Sequence, residues 1–305
     1  MIRLSLIGVV LLMVGCAAQQ TDKVPKRPES PEWMREAEEG QTQKEQQAQS
    51  ELDSVIAETT EAIKASPSNA NAYLRRGDAY FKKGDLDKAL ADFSTVIYMK
   101  PYDDRAYLYR GVTLESQGKL NEALKDLNKV IELSPYSEVA YLQRGRLLGK
   151  LGELDRAISD LNRVLEVNPH AWQAKLFRGM AYDQKKDYAR AIDDYQEAIG
   201  LKPESYHAYN NLAWILATCP QDSYRDGARA LELAQKAYKL NPDGYVLDTL
   251  AAAHAENGQF PEAITVQMRA LDWLRAKGDI KLEPVMLNHL NSYKTGRPWR
   301  QQGPI

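Results

Sequence analysis

Five prolines, Pro67, Pro101, Pro135, Pro169 and Pro203, stand 34 residues apart, and Pro242 follows after a further 39. A fixed period of this length means that one supersecondary unit is copied along the chain, each copy burying its apolar face against the next. The text between prolines repeats as well. Tyr73, Arg76, Gly77 and Tyr80 precede Ala89 and Phe93, while Tyr107, Arg110, Gly111 and Leu114 precede Ala123 and Leu127. Tyr141, Arg144, Gly145 and Leu148 precede Ala157 and Leu161, and Lys175, Arg178, Gly179 and Tyr182 precede Ala191 and Tyr195. Proline lacks an N–H and clashes within a continued turn, so each one ends a helix. Gly84, Gly118 and Gly152 supply a left-handed residue midway, and Asp87, Asn121 and Asp155 are placed to cap a second helix. This punctuation predicts two helices per copy. The repeated Gly and Ala are small so that the two axes can approach, and bulk there overpacks the pair by about 1–3 kcal/mol.

Two degenerate copies follow, one with Tyr209, Leu212, Ala213, Leu216 and Ala230, the other with Leu247, Leu250, Ala251, His254, Gly258 and Ala263. The period and motif resemble the tetratricopeptide repeat. The resemblance implies an all-α, right-handed superhelical solenoid of about six helix–turn–helix repeats, near residues 70–103, 104–137, 138–171, 172–205, 206–243 and 244–277. Glu51–Ser66 has the spacing of an unpaired second helix, and Leu282, Met286, Leu290 and Tyr293 read as a capping helix. The solenoid is therefore expected over 51–294, with a frayed tail at 295–305. Lys186 stands where a helix-ending glycine belongs and Gly200 is expected to interrupt a helix, so the fourth repeat is the expected soft joint.

Most tetratricopeptide repeats have an apolar residue before the glycine, but here it is Arg76, Arg110, Arg144 and Arg178. Each is followed sixteen residues later by an acid, Asp92, Asp126, Asp160 and Asp194, whereas the degenerate copies have Leu212 with Leu233 and Leu250 with Val266. Charges that come and go in pairs favour an Arg–Asp bridge between the two helices of a repeat over an arginine row lining a ligand surface.

Chemistry is thin. The four histidines lie at least 35 residues apart, so no metal set forms along a helix, and no phosphate loop or nucleophile elbow is present. No cofactor, metal or catalytic residue is implied. Cys219 is the sole cysteine of the body and reads as a buried small hydrophobe. Forty basic against 42 acidic residues, with no basic block, argue against a nucleic-acid partner. The family resemblance places the first helix of each repeat along a concave groove. Carried onto this chain, it marks Arg75, Phe81, Arg105, Tyr109, Arg146, Phe177 and Trp214 as candidate partner-binding residues, in the residue classes that make protein-binding hot spots. Packing of Tyr109, Phe177 and Trp214 between helices is the competing reading. The carboxylate clamp of chaperone-binding members is not implied, because Leu74 and Asp78 occupy its positions in the first repeat.

The first fifteen residues carry Arg3 and then an apolar run, Leu4–Gly15, too short for a bilayer that needs about 20 residues and suited to a signal peptide. Leu12-Met13-Val14-Gly15-Cys16 resembles a bacterial lipoprotein signal, which implies lipidation of Cys16; Ala17 then implies sorting to the outer membrane, facing the periplasm. Residues 16–50, rich in Gln, charge and Pro, read as a disordered tether, with helix formation over Glu36–Gln49 on a partner as the alternative. The expectation is a non-catalytic scaffold or adaptor for protein partners of the cell envelope, held to the membrane by lipid. A groove that reads glycan or another polymer through stacked aromatics is the alternative.

Overall fold

The computed structural model describes residues 32–278 and 281–301. Within them the chain forms fourteen α-helices and falls into two units, 1–51 and 52–305. The leader, Cys16 and the first part of the tether lie outside the described residues. The second part departs from expectation, because helix α1 runs Glu32–Ala65 where disorder was expected up to residue 50. From Glu32 to Ser50 there is no proline, and Glu, Gln, Lys and Ala lose little rotamer freedom in a helix.

Six helix pairs follow. They are α2 (Ala70–Lys83) with α3 (Leu86–Met99), α4 (Asp104–Ser116) with α5 (Leu120–Leu133), and α6 (Glu138–Lys150) with α7 (Leu154–Val167). Next come α8 (Trp172–Gln184) with α9 (Tyr188–Leu201), α10 (Tyr206–Thr218) with α11 (Gly227–Leu240), and α12 (Gly244–Glu256) with α13 (Phe260–Lys277). Helix α14 (Glu283–Lys294) packs on α13. Among the described residues no helix is long and apolar enough to cross a membrane.

Breaks between helices follow from local chemistry. Gly84, Gly118 and Gly152 take φ of 82°, 76° and 77°, and the corresponding Lys186 is forced to 62°. Lys100, Ser134, Asn168 and Lys202, each before or just before a repeated proline, are extended at φ −136°, −135°, −132° and −137° and stop the second helices. The expected caps are corrected: Asp85, Lys119 and Glu153 hold the N-cap positions, and Asp87, Asn121 and Asp155 lie two residues inside. The turn is tighter than the spacing suggested, because the N–H of Asp85, Lys119 and Glu153 reaches back 2.9 Å to the carbonyls of Tyr80, Leu114 and Leu148. Inside the first turn Asp87 and Asp155 still favour the helix dipole. They also tie repeats together: Asp87 Oδ1 accepts from Gln117 Nε2 at 2.7 Å, and Asp155 pairs with Lys185.

Ala89, Ala123, Ala157 and Ala191 are fully buried where paired axes come closest. Opposite them a methyl on Gly77 would lie 2.6 Å from Phe93 Cε1, and one on Gly145 would lie 2.8 Å from Leu161 Cγ. Two further expectations are corrected. Gly200 does not interrupt α9 but sits one residue from its end. The tail is ordered to Gln301, because Trp299 packs on the core and its ring centroid lies 4.6 Å from that of His289. Arg300 Nη1 meets Glu256 Oε2 at 2.6 Å, and Gln301 N–H donates to the Thr218 carbonyl at 2.9 Å.

Candidate functional site: the face of the first helices

The first helices of successive pairs, α2, α4, α6, α8, α10 and α12, neighbour one another and present one face. Their spacing rests on the repeated arginines. Arg76, Arg110, Arg144 and Arg178 each place Nε and Nη2 on the two carboxylate oxygens of Asp92, Asp126, Asp160 and Asp194, at 2.7–2.8 Å. The planar fork matches a carboxylate and fixes the angle between the two helices. The remaining Nη1 reaches the preceding repeat: Thr60 and Ser94 at 3.3 Å, Asn128 at 2.8 Å and Asn162 at 2.7 Å. Each arginine therefore joins three helices. The hydrogen bond to Asp126 raises the Arg110 pKa against the opposing effect of burial, so the charge is permanent.

Three hollows open along the face. The first, about 220 Å³, is walled by Phe81, Leu108, Tyr109, Val112 and Val139, with Phe93 beneath and Asp78 at its edge. Tyr109 is tilted on Phe93 with centroids 5.5 Å apart and keeps 39% of its surface exposed, so it both packs and faces outward. The second, about 160 Å³, lies among Arg146, Lys150, Phe177 and Met180. Here Glu115, buried on α4, receives Arg146 at 2.6 and 2.8 Å and Lys150 at 2.6 Å. Arg146 also stands 6.0 Å from the Phe177 ring centroid. The third, about 190 Å³, is bounded by Asn210, Asn211, Trp214, Tyr245, Leu282 and Val285, with Asp248 at its base. Asp248 is fixed by Gln267 Nε2 at 2.6 Å and His289 Nδ1 at 2.8 Å, which ties α12 to α13 and α14.

The structure thus sorts the candidate residues. Phe81 and Tyr109 share the first hollow, and Arg146 and Phe177 share the second. Trp214 borders the third but also packs on the core and on His289, at 5.7 Å. Arg75 is exposed and bound to Glu58, and Arg105 is held by Asp103, two residues earlier, so neither joins a hollow. Burial pushes the Asp183 carboxyl up to about 6 and His207 down. Among the described residues no three His, Cys, Asp or Glu side chains form a metal-binding group. Register along the first helices also puts Glu115 on this face, but sequence reasoning missed its pairing with Arg146 and Lys150, 31 and 35 residues on in the next repeat. It also missed the third arginine contact, although Thr60, Ser94, Asn128 and Asn162 recur at the period and sit sixteen residues before each arginine.

Family models described as tetratricopeptide repeat match residues 70–103, 104–137 and 142–206. No curated protein matches the chain. Among solved structures, a tetratricopeptide repeat protein from Parabacteroides merdae shares 18% identity, covering 80% of this chain and 92% of that one, with a TM-score of 0.61. The Cut9–Hcn1 hetero-tetramer of the APC/C shares 18% identity over 79% of this chain but 46% of its own, with a TM-score of 0.68. YrrB, described as a tetratricopeptide repeat protein with an unusual peptide-binding site, shares 22% identity over 65% of this chain and 97% of its own, with a TM-score of 0.50. At these identities the likeness is one of fold.

Proposed function

We propose that this tetratricopeptide-repeat protein is a non-catalytic adaptor that takes an extended peptide or partner helix along the face of its first helices. One observation carries the reading: the hollow of Phe81, Leu108, Tyr109, Val112 and Val139 is open and apolar, flanked by a fixed cationic patch at Arg146 and Lys150. An apolar anchor pocket beside oriented charge is what recognition of a peptide needs. The peptide-binding site in the description of YrrB agrees with this use of the fold. The partner belongs to an envelope complex, and the protein is tethered through lipidated Cys16 to the periplasmic side of the outer membrane. The residues Leu12–Cys16 support that placement, and attached acyl chains each contribute about 0.8 kcal/mol per buried CH₂.

Crosslinking and mass spectrometry on envelopes, comparing the parent with Tyr109→Ala, tests the groove. A defined set of envelope proteins captured by the parent and lost in the variant is the expected result. Capture that is indifferent to Tyr109, or capture of polysaccharide in place of protein, overturns it. Cys16→Ser should release the protein from the membrane fraction, and continued sedimentation with membranes would remove the anchor from the proposal.

A further inference from the structure

The groove carries two carboxylates at the same place in the repeat, and only one of them is neutralised. Glu115 on α4 and Asp183 on α8 are two periods apart, 68 residues, with Gly149 between them. Glu115 faces Arg146 and Lys150 of the next first helix, which lie 31 and 35 residues on. The residues 31 and 35 beyond Asp183 are Trp214 and Thr218, and neither brings a charge. The Asp183 carboxylate has no hydrogen bond or ion pair, although the residue is only partly open to water.

Cations near it are committed elsewhere. On its own helix Arg178 holds Asp194 and Lys175 pairs with Glu197; just past its end Lys185 holds Asp155; on α9 Arg190 holds Asp187; beyond α10, Arg225 holds Glu256 and Asp222. Lys186 lies in the turn with its ammonium buried without an acceptor, yet burial is the sole cause of the Asp183 shift. Asp183 acts in turn on Tyr188, Tyr195 and Cys219, whose burial keeps them neutral near pH 7. A carboxylate held partly out of water with no counter-charge is costly, and the cost is relieved when a cation arrives with a ligand.

We propose that the groove at the fourth repeat selects a basic side chain, Lys or Arg, of the bound segment, which meets Asp183 as Arg146 and Lys150 meet Glu115. The inference rests on the groove-binding reading above and adds its specificity. The segment then has an apolar residue for the hollow at Tyr109 and a basic residue set apart from it toward Trp214. The cationic patch at Arg146 and Lys150 lies between these two sites along the chain order of the repeats and rejects a basic residue there. Position as well as charge is therefore read.

A random dodecapeptide library displayed on phage and selected against the full chain, Asp183→Asn and Tyr109→Ala tests this. The parent should enrich peptides with an apolar anchor and a Lys or Arg at fixed spacing. Asp183→Asn should keep the anchor and lose the basic enrichment. A selected peptide should bind the parent roughly tenfold better than its Lys→Met version, and Asp183→Asn should erase that ratio. The ratio should also vanish near pH 5, where Asp183 is protonated, and be full near pH 7.5. The same basic enrichment in Asp183→Asn, or none in the parent while Tyr109→Ala still abolishes selection, overturns the inference and leaves the groove reading standing. Selection that is indifferent to Tyr109→Ala, or that enriches no peptide, overturns both.

Discussion

The four regular repeats, 70–203, and the degenerate pair, 206–277, join their helices by different means. In the regular part a guanidinium fork crosses from first to second helix and on to the preceding repeat, and the apolar core is divided into small clusters around Phe93, Leu127, Leu161 and Leu148. In the degenerate part leucine and valine replace the pair, and one large cluster, which already begins at Leu176 in the fourth repeat, runs through to Tyr293. Its polar exception is Asp248 with Gln267 and His289, moved to where the array is capped. The charged brace is directional and sets register repeat by repeat. The apolar solution sums over area and tolerates irregularity, which suits the part that accommodates the extra turn at Asp222–Tyr224.

The sharpest break in that comparison comes from removing half of a brace. Arg110→Leu should cost about 3–5 kcal/mol by leaving Asp126 buried and unpaired, whereas Arg110→Leu with Asp126→Leu should return close to the parent. In the degenerate part the corresponding Leu212→Ala should cost about 2–5 kcal/mol, and adding Leu233→Ala should deepen the loss. Urea denaturation of the four variants measures all of this. Equal additivity in both parts would show that the brace is no more than two independent side chains.

Close approach of paired axes is next in size. Gly145→Val should destabilise by about 1–3 kcal/mol, because its Cβ alone would stand 2.8 Å from Leu161 Cγ, while Gly149→Ala on the same helix meets nothing within 4 Å and should be neutral or better. Thermal unfolding of the two separates packing from helix propensity. Equal losses would mean that the repeated glycine is not there for contact.

Asp183→Asn sharpens the comparison within the groove. Its folded pKa, about 6, lies above the ordinary value of 3.8, so the folded state binds the proton more tightly than the unfolded one. Stability is therefore full below the unfolded value and is lost as pH rises through about 6. Asn abolishes that loss and should gain up to about 3 kcal/mol near pH 7 and only about 0.5 near pH 4. Chemical denaturation at the two pH values measures it, and an equal gain at both would assign the effect to packing.

Much of the array was legible because its period sets residues that touch at constant separations: sixteen for Arg110 and Asp126, twelve for Gly145 and Ala157. Helix starts were misplaced by two residues because Asp87 and Asp155 have the right side chain for a cap, while the backbone turn directly after Gly84 and Gly152 puts the cap at Asp85 and Glu153. Contacts made once in the chain had no periodic signal, such as Asp248 with His289 or Arg300 with Glu256. Groove candidates chosen by register alone included Arg105, which a neighbouring Asp103 had already claimed. A short-range pair can take a cation that register alone would offer to a ligand, as Asp103 does to Arg105.

The smallest effect concerns the turn inside the last regular repeat. Lys186 occupies the left-handed position that Gly84, Gly118 and Gly152 fill elsewhere, with φ of 62°, and its ammonium is buried without an acceptor. A β-carbon in that region costs about 1–2 kcal/mol, of which glycine recovers part after its own chain entropy is counted. Lys186→Gly should therefore stabilise by about 1 kcal/mol, and amide exchange over residues 186–203, faster in the parent than over the second repeat, should slow toward it. The strain falls on the turn between α8 and α9, next to Asp183, inside the last of the braced repeats. If the substitution leaves exchange unchanged, the difference between the two parts ends at their cores; if exchange slows while the basic preference of the groove weakens, the strained turn is part of how Asp183 is held out of water.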